Sequence, residues 1–195
     1  MFLENTINHS KQSGWMEVIC GSMFSGKTEE LIRRLRRAEM AGQCVEIFKP
    51  SIDSRYDESN VVSHNQTKIR STAVHSPNEI LLLASDCEVV GIDEAQFFDE
   101  SIVEIANTLA DSGIRVVIAG LDMDFLGRPF GPMPYLMATA EYVTKVHAIC
   151  RRTGNLANYS MRVSGGNQLV ELGETEKYEA VSRKIFVKEV KTKRG

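Results

Sequence analysis

The sequence predicts an α/β protein: a parallel sheet flanked by helices, followed by a small antiparallel unit toward the C-terminus. Three observations predict it. From residue 15 to residue 120, short β-rich apolar runs alternate with helical patterns, as crossover-linked parallel strands require. A glycine-rich loop lies between the first such run and the first helical pattern. After residue 150 the pattern breaks into short runs punctuated by Gly and Asn, the mark of tight antiparallel turns.

Residues 15–20 (WMEVIC) form the first expected strand and 28–41 (TEELIRRLRRAEMA) the first helix. In that helix Leu31, Ile32, Leu35 and Ala38 share one face, and Gly42 supplies the stop. Arg33, Arg34, Arg36 and Arg37 occupy the remaining faces and read as a solvated surface rather than a nucleic-acid patch. Strands at 45–50 (VEIFKP), 88–93 (EVVGID) and 114–120 (IRVVIAG) then alternate with helices at 77–85 (PNEILLLAS) and 101–113 (SIVEIANTLADSG). The stretch 132–150 leads into short strand-like runs at 159–163 (YSMRV), 168–172 (QLVEL), 178–181 (YEAV) and 182–187 (SRKIFV).

These patterns divide the chain into a loose arm at 1–13, a nucleotide-binding core at 14–149, an appended antiparallel unit at 150–187 and a frayed basic tail at 188–195. At 195 residues there is enough chain to bury a full core. A net charge of −3 leaves no global attraction for nucleic acid, so no nucleic-acid partner is expected. Cys20, Cys44, Cys87 and Cys150 lack any CxxC pair, which argues against a disulfide framework and for a reducing cytoplasmic setting. No signal-peptide pattern opens the chain and no long apolar run occurs, so neither export by that route nor a membrane span is expected.

The strongest chemical signal is Gly21, Ser22, Met23, Phe24, Ser25, Gly26, Lys27 and Thr28, a complete GxxxxGK[ST] loop between strand and helix. It marks the core as a P-loop, RecA-like sheet. The glycines let backbone N–H groups and the helix N-terminus face a triphosphate; Lys27 neutralises β/γ oxygens and the Thr28 hydroxyl is placed to ligate Mg²⁺. The second signal is Asp93-Glu94-Ala95-Gln96 at the end of an apolar strand. There Asp93 is the metal-side carboxylate, and Glu94 is free to act as a general base. The third is GLDMDFLGRPFG at 120–131, a loop after a strand, in which Leu121, Phe125 and Phe130 stand where they can wall a planar base.

These three motifs, in this order and spacing, resemble the cytosolic thymidine kinases that combine a P-loop core with a small lasso domain. The likeness runs from about Trp15 to Phe186. It implies transfer of the ATP γ-phosphate to the 5′-hydroxyl of thymidine or deoxyuridine, in nucleotide salvage for DNA synthesis, with Glu94 as the catalytic base. By matching positions, residues 21–28 are the ATP loop and 93–96 the second nucleotide motif. Phe125 and Tyr178 match nucleoside-binding positions, and Met23, Phe97, Leu121, Phe130 and Ser160 match the base pocket. Leu169, Val170, Glu171, Leu172 and Gly173 match the lasso segment whose backbone reads the base. The resemblance further implies ATP and Mg²⁺ as cofactors, a homotetramer, and feedback inhibition by thymidine triphosphate. Arg55 and Arg70 are candidates for binding transition-state charge.

Most members of that family clamp the lasso with zinc held by four cysteines. Here Cys150 is the only cysteine, with Thr153, Ser182 and Ile185 at the other three positions. One thiolate does not make a closed structural zinc site, and His147 reads as a structural histidine, so no zinc is expected. The lasso is then held by packing, with Tyr159, Leu169, Leu172, Val181, Ile185 and Phe186 as contacts. Of the alternatives, a nucleic-acid-stimulated P-loop ATPase would share the DEAQ box but needs a second core-sized domain. A GTPase would need an NKxD-type motif, which is missing.

Overall fold

The computed structural model describes residues 14–51, 60–62, 68–163 and 177–194. Its centre is a six-stranded parallel sheet made of β1 (Trp15–Gly21), β2 (Val45–Pro50), β5 (Thr72–Val74), β6 (Val89–Ile92), β7 (Arg115–Leu121) and β8 (Tyr142–Val146), in the order β5-β2-β6-β7-β1-β8. Between β2 and β5 the short antiparallel pair β3 (Asn60–Val62) and β4 (Lys68–Arg70) leaves the sheet.

Alternation along the strands sends the two sets of apolar residues to opposite faces. On one face Ile19, Ile47, Val89, Val117 and Ala119 meet Leu31, Ile32, Leu35 and Ala38 of α1 (Lys27–Met40). That is the helix face expected from its spacing. On the other, Val18, Phe48, Ile92 and Ile118 pack under α2 (Pro77–Leu83), α3 (Ser101–Asp111) and α4 (Met133–Thr139). The Glu79 side chain accepts the Ser76 N–H at 3.1 Å, fixing the start of α2 just ahead of Pro77.

Arg34 departs from the solvated reading of the α1 arginines. It is 4% exposed and sits under the helix, donating to Glu17 at 2.8 Å, to Glu30 at 2.8 Å and to the Thr144 hydroxyl at 3.0 Å. Arg115 and the Trp15 indole complete the shell around Glu17 at 2.7 and 2.8 Å. Glu17 shares the α1-facing side of β1 with Ile19, so the carboxylate is buried, and only these donors make its charge tenable there.

Beyond the sheet, β9 (Ala148–Ile149) pairs with β10 (Leu156–Ala157), and β11 (Tyr159–Arg162) pairs with β12 (Tyr178–Val181), both antiparallel. The run 182–187 is not the strand expected of it. It opens α5 (Arg183–Arg194), which continues through the segment read as a basic tail from 188. The Lys- and Arg-rich composition favours helix, and the helix lays the Phe186 ring on Tyr159 at 4.2 Å and 13°. Tyr159, Val181 and Phe186 join Cys150, Ala157 and Met161 in a separate small core, with Ile185 packed against it. Leu169 and Leu172 lie outside the described residues.

Candidate active site

The chemistry-bearing residues gather at the carboxyl ends of three adjacent strands, β1, β7 and β6, the ligand side of a parallel sheet. Gly21 ends β1 at φ 149°, and a Cβ there would stand 2.2 Å from the Val146 carbonyl oxygen. The chain therefore turns tightly out of the sheet only because that side chain is missing. Gly26, at φ 84°, then delivers the chain into α1. Within the loop, the Ser25 hydroxyl donates to the Ser22 carbonyl at 2.7 Å, and Lys27 Nζ donates to the same oxygen at 2.9 Å.

Burial of its amine pushes Lys27 below the ordinary lysine range, against the pull of Glu94, Asp93 and Asp122. The residue as a whole is only partly buried. The three carboxylates attract the ammonium through space while its hydrogen bond goes to the Ser22 carbonyl, a bond that an incoming polyphosphate oxygen can replace with a charge-assisted one.

From the end of β6, Asp93 points back across the sheet. Its Oδ2 receives the Thr28 hydroxyl at 3.3 Å, and its Oδ1 accepts the Glu94 N–H at 2.9 Å. Hydroxyl and carboxylate thus converge, the donor set a Mg²⁺ ion takes beside a triphosphate. Glu94 adopts φ 52°, and Phe24 in the P-loop φ 62°; these are the two non-glycine residues at positive φ among those described. Such conformations cost energy and collect at functional sites.

After Glu94 the chain makes a single 3-10 turn, Ala95–Phe97. Ala95 is fully buried in the sheet core and Gln96 is turned to Leu121 and Glu94. Both side chains are thus engaged by protein. Phe97 meets Phe130 edge to face at 5.8 Å.

The appended unit reaches the P-loop. Ser160 Oγ accepts the Met23 N–H at 2.9 Å, and the Ser22 hydroxyl donates to the Ala157 carbonyl at 3.1 Å, so P-loop and β10–β11 are directly joined. Arg162, 8% exposed, stacks 3.8 Å over Phe125 and donates to the Tyr178 hydroxyl at 2.6 Å. It brings together the two aromatics matched to nucleoside binding. Residues 169–173 and Arg55 lie outside the described residues, as does the side chain of Arg70.

Three residues here escaped the sequence reading. Arg162 carried only the signal of a charge within an apolar strand. Asp122, at the end of β7, is buried and paired with Lys145 Nζ at 2.6 Å, bridging the strands on either side of β1. Asp124 accepts the Leu126 and Arg128 N–H groups at 2.8 and 2.9 Å and so shapes the loop that presents Phe125. The repeated Asp of DMDF hinted at such a loop-forming role.

Cys150 lies in the small core with the Thr153 and Ser182 hydroxyls beside it. Burial pushes its thiol up, but hydrogen bonds from Thr153, from the Ser182 and Arg152 N–H groups and from the Ser182 hydroxyl outweigh this and bring it down to about 7.

The family model described as thymidine kinase matches residues 14–186. A protein named thymidine kinase from Porphyromonas gingivalis is 61% identical over 186 residues, covering 95% of this chain and 91% of the relative. One of the same name from Bacteroides thetaiotaomicron is 55% identical over 188 residues, covering 96% and 94%. Among solved structures, the genome packaging NTPase B204 from Sulfolobus turreted icosahedral virus 2, in complex with ATP-gammaS, aligns at a TM-score of 0.46 and 14% identity over 73% of this chain and 79% of that one.

Proposed function

The chain belongs to the thymidine kinase family and is an ATP-dependent nucleoside kinase, and we propose that it phosphorylates the 5′-hydroxyl of thymidine and deoxyuridine with Glu94 as the base. The observation that carries this mechanism is the convergence of Lys27, Thr28, Asp93 and Glu94 at neighbouring strand ends. The P-loop N–H groups and Lys27 hold the triphosphate. Thr28 and Asp93 would hold Mg²⁺, which when bound neutralises β- and γ-phosphate oxygens. Glu94 takes the proton of the 5′-hydroxyl as its oxygen bonds to the γ-phosphorus; the bond from that phosphorus to the β,γ-bridging oxygen breaks, releasing ADP.

Met23, Phe97, Leu121, Phe130 and Ser160 are proposed to take the pyrimidine, with Phe125 and Tyr178, both held by Arg162, binding the nucleoside. Residues 169–173 are proposed to read the base edge through their backbone. A wrong base would leave buried donors or acceptors unpaired there, which is a sharp form of selection. Purified protein with ATP and Mg²⁺ is expected to convert thymidine and deoxyuridine to their monophosphates. A coupled assay across the natural nucleosides checks this, and inactivity on both pyrimidine deoxynucleosides would sink it.

The appended unit at 150–187 is proposed to close over the nucleoside as a lasso without zinc. One thiol and two hydroxyls around Cys150 do not fit the all-thiolate tetrahedral site, and the stacked Tyr159–Phe186 pair supplies packing instead. Cys150→Ser is expected to leave kcat and metal content unchanged. Stoichiometric zinc in the wild type by elemental analysis would overturn this. Cytoplasmic residence, a homotetramer and inhibition by thymidine triphosphate are part of the same proposal, and an inhibition titration with sedimentation analysis tests the last two. Among the described residues no helix is long and apolar enough to cross a membrane.

A further inference from the structure

Gln96 is 3% exposed and uses both ends of its amide. Its Oε1 accepts the Leu121 N–H at 2.9 Å, and its Nε2 donates to Glu94 Oε2 in a short hydrogen bond. A backbone N–H can only donate and an ionised carboxylate can only accept, so this amide has one workable orientation; flipped, it would face donor with donor and acceptor with acceptor. The surrounding backbone closes on it. A Cβ on Gly120 would stand 3.0 Å from Gln96 Oε1, and one on Gly131 only 2.5 Å from the Gln96 carbonyl oxygen. Both polar atoms of the Gln96 amide are thus engaged where it stands.

We propose that Gln96 is a positioning residue that aims Glu94 and ties its direction to the pocket wall at Leu121. This rests on Glu94 being the base. By holding Oε2, Gln96 leaves Oε1 as the proton acceptor and fixes the rotation of a side chain whose backbone already sits at φ 52°. Because the same amide grips the end of β7, the carboxylate is registered against the wall on which the pyrimidine lies. A nucleoside seated against Leu121 then brings its 5′-hydroxyl to a carboxylate already turned toward it, which is where orientation contributes to rate. The match of 93–96 to a nucleotide motif leads instead to a Gln96 that contacts ATP, and the two roles part in kinetics.

The test is a double-mutant cycle on the full-length enzyme. Gln96→Leu should lower kcat about 10²-fold, the cost of a misplaced reacting group, with the KM for ATP within about twofold of wild type. Gln96→Glu keeps an acceptor for the Leu121 N–H but turns a second carboxylate toward Glu94, so it should lose kcat as well, with a lowered melting temperature from the buried like charges. In a Glu94→Gln background, where there is no carboxylate to aim, Gln96→Leu should cost less than about a further twofold. An equal loss in both backgrounds would show a purely structural role and overturn the proposal. A raised KM for ATP would place Gln96 on the nucleotide and overturn it too, as would wild-type turnover by Gln96→Glu. Wild-type turnover by Glu94→Gln alone would instead remove the base assignment, so the two failures are distinguishable.

Discussion

Replacing Glu94 by Gln lowers kcat for thymidine phosphorylation by about 10²–10⁴-fold, the range carried by a positioned general base, while ATP binds as before. The substitution is nearly isosteric, and its amide oxygen can still accept from Gln96 Nε2, so the side chain keeps its anchor. The left-handed backbone at φ 52° disfavours both residue types alike, which removes strain as an explanation of any loss. What disappears is the capacity to take the proton of the 5′-hydroxyl. Lys27 bonds the Ser22 carbonyl and the Thr28 hydroxyl bonds Asp93, neither through the Glu94 carboxylate, so the KM for ATP should stay within about twofold. Steady-state kinetics with separate nucleotide-binding titrations check both halves. Near-wild-type kcat would show that the hydroxyl loses its proton to something else, and loss of ATP binding would move Glu94 from the base to the donor site.

Legibility in the sequence followed the range of the forces involved. Strands β1, β2, β6 and β7 were readable because strands covered on both faces are near-continuous apolar runs, and each was punctuated by a helix with its own period. The edge strands were not assigned. β5 has three residues, and β8 alternates half-buried with exposed positions, so neither carries the signal of a covered strand. The helical fate of 183–194 was hidden because Ile185, Phe186 and Val187 read locally as strand, while the deciding contact, the Tyr159 ring, is far away in sequence. In the site, the Thr28–Asp93 pairing was legible because motif chemistry specifies both partners. The directions of Gln96, Arg162 and Asp122 were not, since each is set by a partner on another element.

Arg34 is the sharpest case, because a string of arginines on a helix gives no hint which one faces a buried carboxylate. Its partner Glu17 lies on β1, and the second guanidinium on that carboxylate comes from Arg115 on β7. Glu17→Ala is accordingly expected to destabilise the fold by about 3–5 kcal/mol, the cost of removing the shared carboxylate from a buried ion-pair cluster. That is a large share of the roughly 5–15 kcal/mol that holds a domain together, and it should lower the Tm by on the order of 10 °C. Burial alone would push the Glu17 carboxyl up, but Arg115, the Trp15 indole and Arg34 together hold it below the ordinary glutamate value. A carboxyl with a depressed folded pKa contributes stability above the unfolded pKa of about 4.3 and loses it as pH falls through the folded value. The stability gap between wild type and Glu17→Ala, measured by denaturant unfolding, should therefore be constant near neutral pH and narrow below about pH 4.3; a gap independent of pH would show that lost packing, not charge, is responsible. Adding Arg34→Met to Glu17→Ala removes a buried guanidinium that has lost one carboxylate and keeps Glu30 and the Thr144 hydroxyl as acceptors, and should recover part of the loss. Arg115 is left in place because its side chain is less buried, 13% exposed against 4% for Arg34.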